Sequence, residues 1–303
     1  IRRPPRSTPS NSSAASDVYK RQVLEIGSGH DPKVRADVLC DKYIEDDFQR
    51  GGPIVADRMI VAADGQFLPF ADKSFDYTIC SHVLEHVEDP ELLIKELMRV
   101  SYRGYIETPS EIAERLYGWP YHNWIINLIN GKLVIQKKVG ESQFGQLFHC
   151  LAAHDKDFAR FHQRYRHLFL VRYEWEGKID YVILPPDPSP LQLESIQAVE
   201  ELLMSAQESS FAEYLISTIK NSLPYKWRIR IKSLLVRGRK RKKPKKTLKE
   251  IVVCPACKGP VEWREREIIC HACDIVYPIK NGIPRLLIPE DRLPEVIRRY
   301  KEG

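Results

Sequence analysis

Short apolar segments alternate with polar stretches through the first third of the chain. Their short length and their β-branched content predict buried strands. The five predicted strands are Val23–Ile26, Asp37–Cys40, Met59–Ala63, Phe75–Cys80 and Gly104–Glu107. A helix is predicted before the last of them, because Asp89 is a suitable N-cap, Pro90 suits the first helical turn, and apolar residues then recur on one face. This alternation predicts an α/β domain with a mostly parallel sheet and flanking helices.

The whole chain divides into five predicted parts. Residues 23–185 form the α/β domain, in which Leu168–Trp175 and Lys178–Leu184 are expected to pair as a hairpin. Residues 186–248 combine a helical pattern from Ser189 to Val236 with a basic linker, and residues 249–290 form a small separate domain. A C-terminal tail, 291–303, comes last. Residues 1–22 lack an initial Met and the apolar core of a signal peptide, and they are expected to be a non-native or disordered tail.

Charge and cysteine content narrow the class of protein. The 303 residues carry a formal net charge of +6, and much of it lies in the run from Arg237 to Lys246, so the protein as a whole is not a basic nucleic-acid binder. No apolar run approaches the roughly 18 residues of a membrane-spanning helix. Four of the seven cysteines form two C-x-x-C pairs, which favours metal ligands and a reducing, cytoplasmic location over disulfides.

The first predicted strand runs into a glycine turn, Val23-Leu-Glu-Ile-Gly-Ser-Gly-His-Asp-Pro32. Gly27 and Gly29 allow a ligand to approach the backbone without Cβ clashes. Few residues separate this turn from Asp41, too few for a helix and a strand, so we expect the first crossover helix to be reduced to a turn or loop. Asp41 ends the second strand, where an acid commonly binds ribose hydroxyls.

A longer run supports a specific family resemblance. It comprises Ala63-Asp-Gly-Gln-Phe-Leu-Pro-Phe70 and Ser74-Phe-Asp-Tyr-Thr-Ile-Cys-Ser-His-Val-Leu-Glu-His-Val-Glu-Asp-Pro90. With the glycine turn, it resembles the class I S-adenosylmethionine-dependent methyltransferases of the type 11-like group over about residues 23–108. The resemblance implies a Rossmann-like fold and S-adenosylmethionine as the cofactor. The residues it assigns to the cofactor are Glu25, Gly27, Ser28, Gly29, Asp41, Asp64, Gly65, Gln66 and Ser81, with Asp64 on the adenine amino group and Gln66-Phe67 beside the ring.

Candidate catalytic residues come directly after the fourth and fifth strands. Methyl transfer needs alignment of donor and acceptor, and a base where the nucleophile carries a proton. Ser81, His82 and Glu107 stand where side chains project over the methyl group; His82 is either a base or a residue that packs beside the cofactor. His86 is expected to be structural.

The residues after the fourth strand predict the class of acceptor. The Asn/Asp-Pro-Pro-Tyr motif of many amino-methylating nucleic-acid enzymes is absent there, which favours a small-molecule, glycan or lipid acceptor. Two stretches are expected to form a lid, Glu107-Thr-Pro-Ser110 and Gly118-Trp-Pro-Tyr-His-Asn-Trp124. Within the second, Tyr121, His122 and Trp124 either stack on a sugar or pack the lid.

The C-terminal cysteines predict a structural zinc ribbon. Cys254, Cys257, Cys270 and Cys273 form two knuckles suited to tetrahedral Zn²⁺, with His271 outside the ligand set. Together with the adjoining Ile275–Leu287, the knuckles resemble the small zinc-ribbon activator subunits of tRNA and protein methyltransferases.

The role of the ribbon region remains open. The ribbon either docks on the catalytic sheet, through Ile283, Leu286 and Leu287, or serves as a tethered recognition module. Together with the basic tract, the ribbon would suit RNA binding, which makes an RNA methyltransferase the alternative function. The segment Trp227–Arg237 suits peripheral contact with anionic lipid. For the whole chain, a third interpretation, beside a small-molecule, glycan or lipid methyltransferase and an RNA methyltransferase, is a non-catalytic cofactor-binding module.

Overall fold

The computed structural model describes residues 22–46, 52–140, 142–188, 227–228, 230–232, 234–235 and 246–302. The strands before residue 189 are β1 (Val23–Ile26), β2 (Val38–Asp41), β3 (Met59–Ala62), β4 (Tyr77–Ser81), β5 (Arg103–Pro109), β6 (Trp124–Ile129), β7 (Lys132–Lys137), β8 (Leu170–Glu176) and β9 (Tyr181–Leu184). The five predicted strands therefore all exist, with ends shifted by one or two residues.

A six-stranded sheet organises the first domain, in the order β3-β2-β1-β4-β5-β8. Strands β1 to β5 run parallel, and β8 alone is antiparallel, paired along the whole of β5. The order reverses direction between β1 and β4, which is the switch point where parallel sheets bind ligands. The predicted α/β class with a mostly parallel sheet is confirmed.

The helices are α1 (Pro90–Val100), α2 (Glu111–Tyr117), α3 (Gly145–His154), α4 (Lys156–Arg164), α5 (Arg166–Phe169), α6 (Leu248–Ile251) and α7 (Leu293–Glu302). Helix α1 begins as predicted, because the side chain of Asp89 accepts hydrogen bonds from the backbone of Glu91 and Leu92. Its apolar face, which includes Leu93 and Leu97, is fully buried in the core beside the sheet.

The first crossover lacks a helix, as its length predicts. Residues 27–37 pass from β1 to β2 through turns, and Asp37 N–H donates to Val23 C=O at 2.8 Å to start the next strand. A cavity of about 450 Å³ lies over this part of the sheet, with Val23, Ile79 and Tyr105 among its lining residues. It lies away from the carboxyl ends of the parallel strands, where the candidate site is found.

The predicted hairpin of β8 with β9 is wrong. Strand β8 pairs with β5 over seven residues, from Leu170 opposite Pro109 to Glu176 opposite Arg103, whereas β9 runs parallel to β7 in a separate sheet with β6. Gly177, at φ 73°, redirects the chain between the two sheets instead of closing a hairpin. Apolar alternation identifies strands but not their partners.

Much of the region between the domains lies outside the described residues, including most of the predicted helical segment and the basic tract. Of the segment predicted for lipid contact, the described residues are helical, and Trp227, Ile231 and Leu234 are exposed. Lys232 of this segment forms an ion pair with Asp31. None of the helices that the structure describes has the length and apolar character needed to cross a bilayer. The tail, 1–22, is described only at Gln22.

The C-terminal region forms a four-stranded sheet in the order β10-β11-β12-β13, with β10 (Glu262–Trp263), β11 (Glu267–Cys270), β12 (Ile275–Lys280) and β13 (Ile283–Pro284). Strands β10 and β11 pair antiparallel between the two knuckles. Residues 291–303, for which the sequence indicated only a tail, contain helix α7.

This ribbon docks on the first domain through backbone and apolar contacts. Arg285 forms a parallel bridge with Ala62 at the outer edge of β3, and Leu286 N–H donates to Ala62 C=O at 2.8 Å. Leu286 is fully buried and Ile283 packs beside the β2–β3 core, whereas Leu287 is 36% exposed. The predicted contact therefore forms through Ile283 and Leu286, and it covers an edge strand that would otherwise expose unpaired backbone groups.

Candidate functional site

A cavity of about 520 Å³ lies at the carboxyl ends of β1 to β4. Its walls come from the glycine turn, the residues after β2, β3 and β4, and the loop before β6. Residues that line it include Gly27, Gly29, Asp41, Lys42, Tyr43, Asp46, Asp64, Gly65, Gln66, His82, Val83, His86, Tyr121 and Asn123. The volume falls in the range of about 300–1,000 Å³ that is usual for sites binding small molecules and cofactors.

The glycine turn forms one wall of this cavity. Gly27 has φ 68° and Gly29 has φ 52°, a conformation that side chains disfavour. A Cβ on Gly27 would lie 2.3 Å from Cγ2 of Val83, so that position has no room for a side chain. Its backbone is anchored by Gly27 N–H, which donates to Cys40 C=O at 2.8 Å.

Two carboxylates face the cavity from neighbouring strand ends. Asp41 accepts hydrogen bonds from Gly29 N–H at 2.9 Å and from Tyr43 N–H at 3.0 Å, one on each oxygen. Asp64 accepts one from Gln66 N–H at 2.9 Å, and its other oxygen lies 2.7 Å from Nζ of Lys42. Oδ1 of Asp64 also accepts a hydrogen bond from Gln66 Nε2 at 3.2 Å. Both carboxylates line the cavity, and carboxylate oxygens accept hydrogen bonds from ligand hydroxyl and amino groups.

The carboxylates of the cavity fit a nucleoside. The hydroxyl of Ser28, buried between the two glycines, has no hydrogen-bond partner among the described residues, but Ser28 is not among the residues that line the cavity. Paired acids suit ribose hydroxyls and an exocyclic amine. The half-exposed Lys42, which now neutralises Asp64, has the freedom to move aside.

Glu25 lies beneath the turn rather than on the cavity wall. Its Oε2 accepts a hydrogen bond from Lys33 N–H at 2.8 Å, which braces the loop that replaces the first crossover helix. Burial raises the pKa of Glu25 to about 7. Near neutral pH this carboxyl is therefore only partly ionised. The structure supports a role for Glu25 in bracing the loop rather than as a fixed negative charge.

The three candidate catalytic residues come together where β4 ends beside β5. Glu107 lies within β5, which continues to Pro109. Ser81 Oγ donates to Glu107 Oε1 at 3.0 Å, and His82 N–H donates to Glu107 C=O at 2.8 Å. His82 has φ 57°, a rare conformation for a residue with a side chain that is often found at functional sites. Of the three, His82 alone is among the residues that line the cavity.

Two carboxylates control the charge of His82. Its Nδ1 lies 3.2 Å from Glu85 Oε1, and its Nε2 lies 3.9 Å from Glu107 Oε1. Burial lowers the pKa of His82, but the hydrogen bond to Glu85 and the two negative charges outweigh that effect and raise the pKa above the ordinary value. His82 therefore keeps its proton to a higher pH than a free imidazole, and it must lose that proton before it can act as a base.

Several site residues lie elsewhere than the sequence suggested. Phe67 is buried against Tyr300 of α7, with ring centroids 5.5 Å apart, rather than beside the cavity. Thr108 and Ser110 are buried, because β5 extends through Pro109 and Ser110 then caps α2. The segment Glu107 to Ser110 is therefore not a lid.

Only part of the second predicted lid segment, Gly118 to Trp124, lines the cavity. Tyr121 lines the cavity and is 36% exposed, whereas His122 is buried. Trp124 donates from Nε1 to Val87 C=O at 2.8 Å, which ties the start of β6 to the segment after β4. Of these three aromatic residues, only Tyr121 is accessible from the cavity.

Sequence reasoning missed several residues of the cavity and its support: Lys42, Tyr43, Asp46, Glu85 and Asn123. Lys42 and Tyr43 follow Asp41 directly, so their position after a strand end was an available signal. Asn123 belongs to the stretch expected to form a lid, but its own role was not predicted, because its place depends on the loop before β6 folding back onto residues 85–87.

The four cysteines of the ribbon form a second centre. Sγ of Cys254 lies 4.0 Å from Sγ of Cys273, and Sγ of Cys257 lies 3.6 Å from Sγ of Cys270. Zinc–sulfur bonds of about 2.3 Å in a tetrahedron require sulfur atoms about 3.8 Å apart. The observed spacings fit that requirement, and His271 is bonded instead to Glu262 at 2.6 Å.

Two family models match the chain. One, described as "Methyltransferase domain", matches residues 41–105, and the other, described as "Trm112p-like protein", matches residues 245–282. The first match covers Asp41 at the end of β2, the Asp64 region and β4. The second covers both cysteine knuckles. Both resemblances drawn from the sequence are confirmed.

Small curated proteins match the ribbon alone. The UPF0434 protein of Methylobacillus flagellatus is 51% identical over 47 residues, which make up 15% of this chain and 78% of the relative. A UPF0434 protein of Burkholderia mallei is 49% identical over 47 residues, 15% of this chain and 69% of the relative.

Solved structures resemble the chain at low identity. A complex of the Haloferax volcanii Trm112 methyltransferase activator with a putative methyltransferase shares 17% identity at a TM-score of 0.23, over 31% of this chain and 50% of that one. A SAM-dependent methyltransferase of Thermotoga maritima, described as a possible histamine N-methyltransferase, shares 15% identity at a TM-score of 0.23, over 61% and 62% of the two chains. One from Mesorhizobium loti shares 12% identity at a TM-score of 0.26, over 62% and 74%. The protein thus spans about half the length of the first of these chains.

Proposed function

We propose that this chain, which carries a methyltransferase domain and belongs through its C-terminal region to the Trm112p-like family, transfers methyl groups from S-adenosylmethionine. The observation that carries the proposal is the cavity at the strand ends, where a turn that excludes any side chain at Gly27 meets two carboxylates at Asp41 and Asp64. The acceptor we propose is a small molecule, a glycan or a lipid.

The cofactor supplies an activated methyl group on a sulfonium, so the protein's task is mainly to bind and align. Gly27 and Gly29 let the cofactor approach the backbone, Asp41 accepts hydrogen bonds from ribose hydroxyls, and Asp64 accepts one from the adenine amino group after Lys42 moves aside. On the acceptor side we assign His82, which Glu85 and Glu107 orient. Ser81 positions Glu107 rather than touching the ligand.

The accessible side chains favour a polar organic acceptor. Beyond the glycine turn, the cavity is bordered by Tyr121, His82 and Asn123, an aromatic face beside polar groups. Aromatic faces with nearby hydrogen-bonding groups suit sugar rings and similar ligands.

For the ribbon we propose a structural Zn²⁺ held by the four thiolates, with the docked ribbon stabilising the catalytic domain. The sulfur spacings support zinc. The backbone bridge to β3 supports a stabilising role.

Gly27→Ala is expected to weaken S-adenosylmethionine binding at least tenfold, roughly 1.4 kcal/mol or more. The new Cβ would meet Val83 at 2.3 Å, at a φ of 68° that alanine disfavours, so the turn must move. Isothermal titration calorimetry measures the affinity. Gly131→Ala is the matched control, because Gly131 also has a positive φ, 75°, but no described atom lies within 4 Å of its Cβ position. Equal affinity in Gly27→Ala and wild type would contradict the assignment of the turn.

Methyl-tritiated S-adenosylmethionine, incubated with the full chain and a fractionated bacterial extract, tests the acceptor. We expect label in the small-molecule or lipid-linked glycan fraction, and clearly less of it with Gly27→Ala when the cofactor concentration is kept near the dissociation constant of the wild type. Label confined to RNA would replace the acceptor assignment with the RNA alternative. No label in any fraction, despite tight cofactor binding, would make the chain a binding module.

A further inference from the structure

Three side chains beside the cavity bring metal-binding atoms together. Glu85, His86 and His122 each offer one ligand atom, and these atoms all lie within 4.8 Å of one another. Glu85 and His86 belong to the segment after β4, and His122 to the loop before β6. This cluster is separate from the four cysteines of the ribbon.

The backbone around the cluster is held in place. Asn123 N–H donates to Glu85 C=O at 2.7 Å, and Asn123 Nδ2 donates to His86 C=O at 2.7 Å. The two segments are therefore fixed against each other by contacts to the main chain, which metal sites need if their ligands are to be preorganised.

Two of the three residues have buried polar atoms that no described residue satisfies. Glu85 is 1% exposed, and its Oε2 is buried without a hydrogen-bond partner in the described part of the chain, as is Nδ1 of His86. A buried polar group left unpaired costs about 1–3 kcal/mol, and such groups usually have a partner that satisfies them. Two of them in one cluster point to one bound ion that contacts both residues.

The third residue is oriented by a second carboxylate. Nδ1 of His122 lies 2.6 Å from Glu114 Oε2, and the other oxygen of Glu114 accepts a hydrogen bond from Lys138 Nζ at 2.6 Å. With Nδ1 so engaged, Nε2 of His122 is the nitrogen left for coordination. Histidines that bind metals commonly donate their other ring N–H to a carboxylate in this way.

We propose that Glu85, His86 and His122 form a binding site for a divalent transition-metal ion of the zinc type. One carboxylate and two neutral imidazoles are a usual ligand set for Zn²⁺ with one position open to water or substrate. Since His86 also lines the cavity, the ion lies next to the proposed cofactor site. The proposal does not depend on methyl transfer, because it concerns binding of the metal alone.

Metal analysis of the full chain, after Zn²⁺ is added and excess removed by gel filtration, tests the site. We expect two zinc ions per chain in the wild type, and one in His86→Gln and in Glu85→Gln. His149→Gln is the matched control, since His149 is an exposed histidine in the neighbouring aromatic cluster and outside the site, and it should keep both ions. One ion per chain in the wild type, or two in both cluster variants, would overturn the proposal.

Co²⁺ distinguishes the two centres in the same protein. Bound to thiolates it absorbs strongly in the near ultraviolet through sulfur-to-metal charge transfer, which imidazole and carboxylate ligands do not give. The cluster variants should bind one Co²⁺ fewer per chain and keep the full charge-transfer absorption. Glu114→Gln should weaken the second ion about 10- to 100-fold, as loss of an orienting partner does. Unchanged affinity in Glu114→Gln, with circular dichroism showing native folding, would remove Glu114 as a positioning residue.

Discussion

Cys254→Ser is expected to lower the melting temperature of the whole protein, rather than that of the ribbon alone. A domain of this size has too little core to fold unaided, and structural zinc contributes on the order of 10 kcal/mol to such folds. The buried apolar cluster runs without a break from the six-stranded sheet into the ribbon, where it includes Ile251, Ile268 and Leu286. Unfolding the ribbon therefore exposes apolar surface of the first domain as well.

Differential scanning calorimetry measures this effect. Cys150→Ser is the matched control, because Cys150 is an exposed free cysteine outside the metal centre, and its melting temperature should equal that of the wild type. Deleting residues 249–303 should lower the melting temperature or the solubility in the same way as Cys254→Ser. If the first domain keeps the melting temperature of the wild type in both variants, the ribbon is merely tethered.

Glu96→Ala is expected to destabilise the protein by about 3–5 kcal/mol, the usual cost of removing one partner from a buried ion pair. Glu96 is 1% exposed, and it bonds Arg99 Nε at 2.6 Å and Lys258 Nζ of the ribbon at 2.9 Å. Without Glu96, the charge that now compensates Arg99 and Lys258 at the interface would be gone. Burial already lowers the pKa of Lys258 to about 8 although Glu96 raises it, so the loss of Glu96 would lower that pKa further and favour the neutral amine. Arg99 and Lys258 both also donate to the carbonyl of Leu68, which keeps them in place.

The free energy of unfolding, from urea denaturation, tests this prediction. Glu91→Ala on the same helix is the control, because its pair with Lys95 at 3.2 Å is exposed and is worth roughly 0.3–0.5 kcal/mol. Equal losses in the two variants would mean that the Glu96 cluster is no more than a surface pair. Lys258→Met, which removes the partner on the ribbon, should cost less than Glu96→Ala, since Arg99 still neutralises Glu96.

Local patterns in the sequence predicted most of the six-stranded sheet. Apolar runs, the cap at Asp89 and the short distance from Gly29 to Asp41 each depend on neighbouring residues, and β1 to β5, α1 and the missing crossover helix follow from them. The glycine turn, Asp41, Asp64 and His82 meet at one cavity because parallel strands end at one edge of a sheet.

Contacts between distant residues could not be predicted in this way. The pair of Glu96 with Lys258 joins positions 162 residues apart, and neither sequence neighbourhood marks it as buried. Phe67 is expected beside the cofactor because it follows Gln66, yet its ring meets Tyr300 in a helix that the sequence did not predict. The partners of β8 and β9 likewise depend on which sheet edges are available, which is a property of the whole fold.

The covalent link between the ribbon and the first domain changes the thermodynamics of their contact. In the small relatives the matched ribbon makes up most of the protein, 78% in one case, so there it is a molecule of its own. Joined by a chain, the two surfaces meet at an effective concentration that the connecting segment sets, whatever the amount of protein in the cell. Dilution therefore cannot separate them, the stoichiometry stays at one ribbon per first domain, and the interface need not be strong enough to hold two free molecules together.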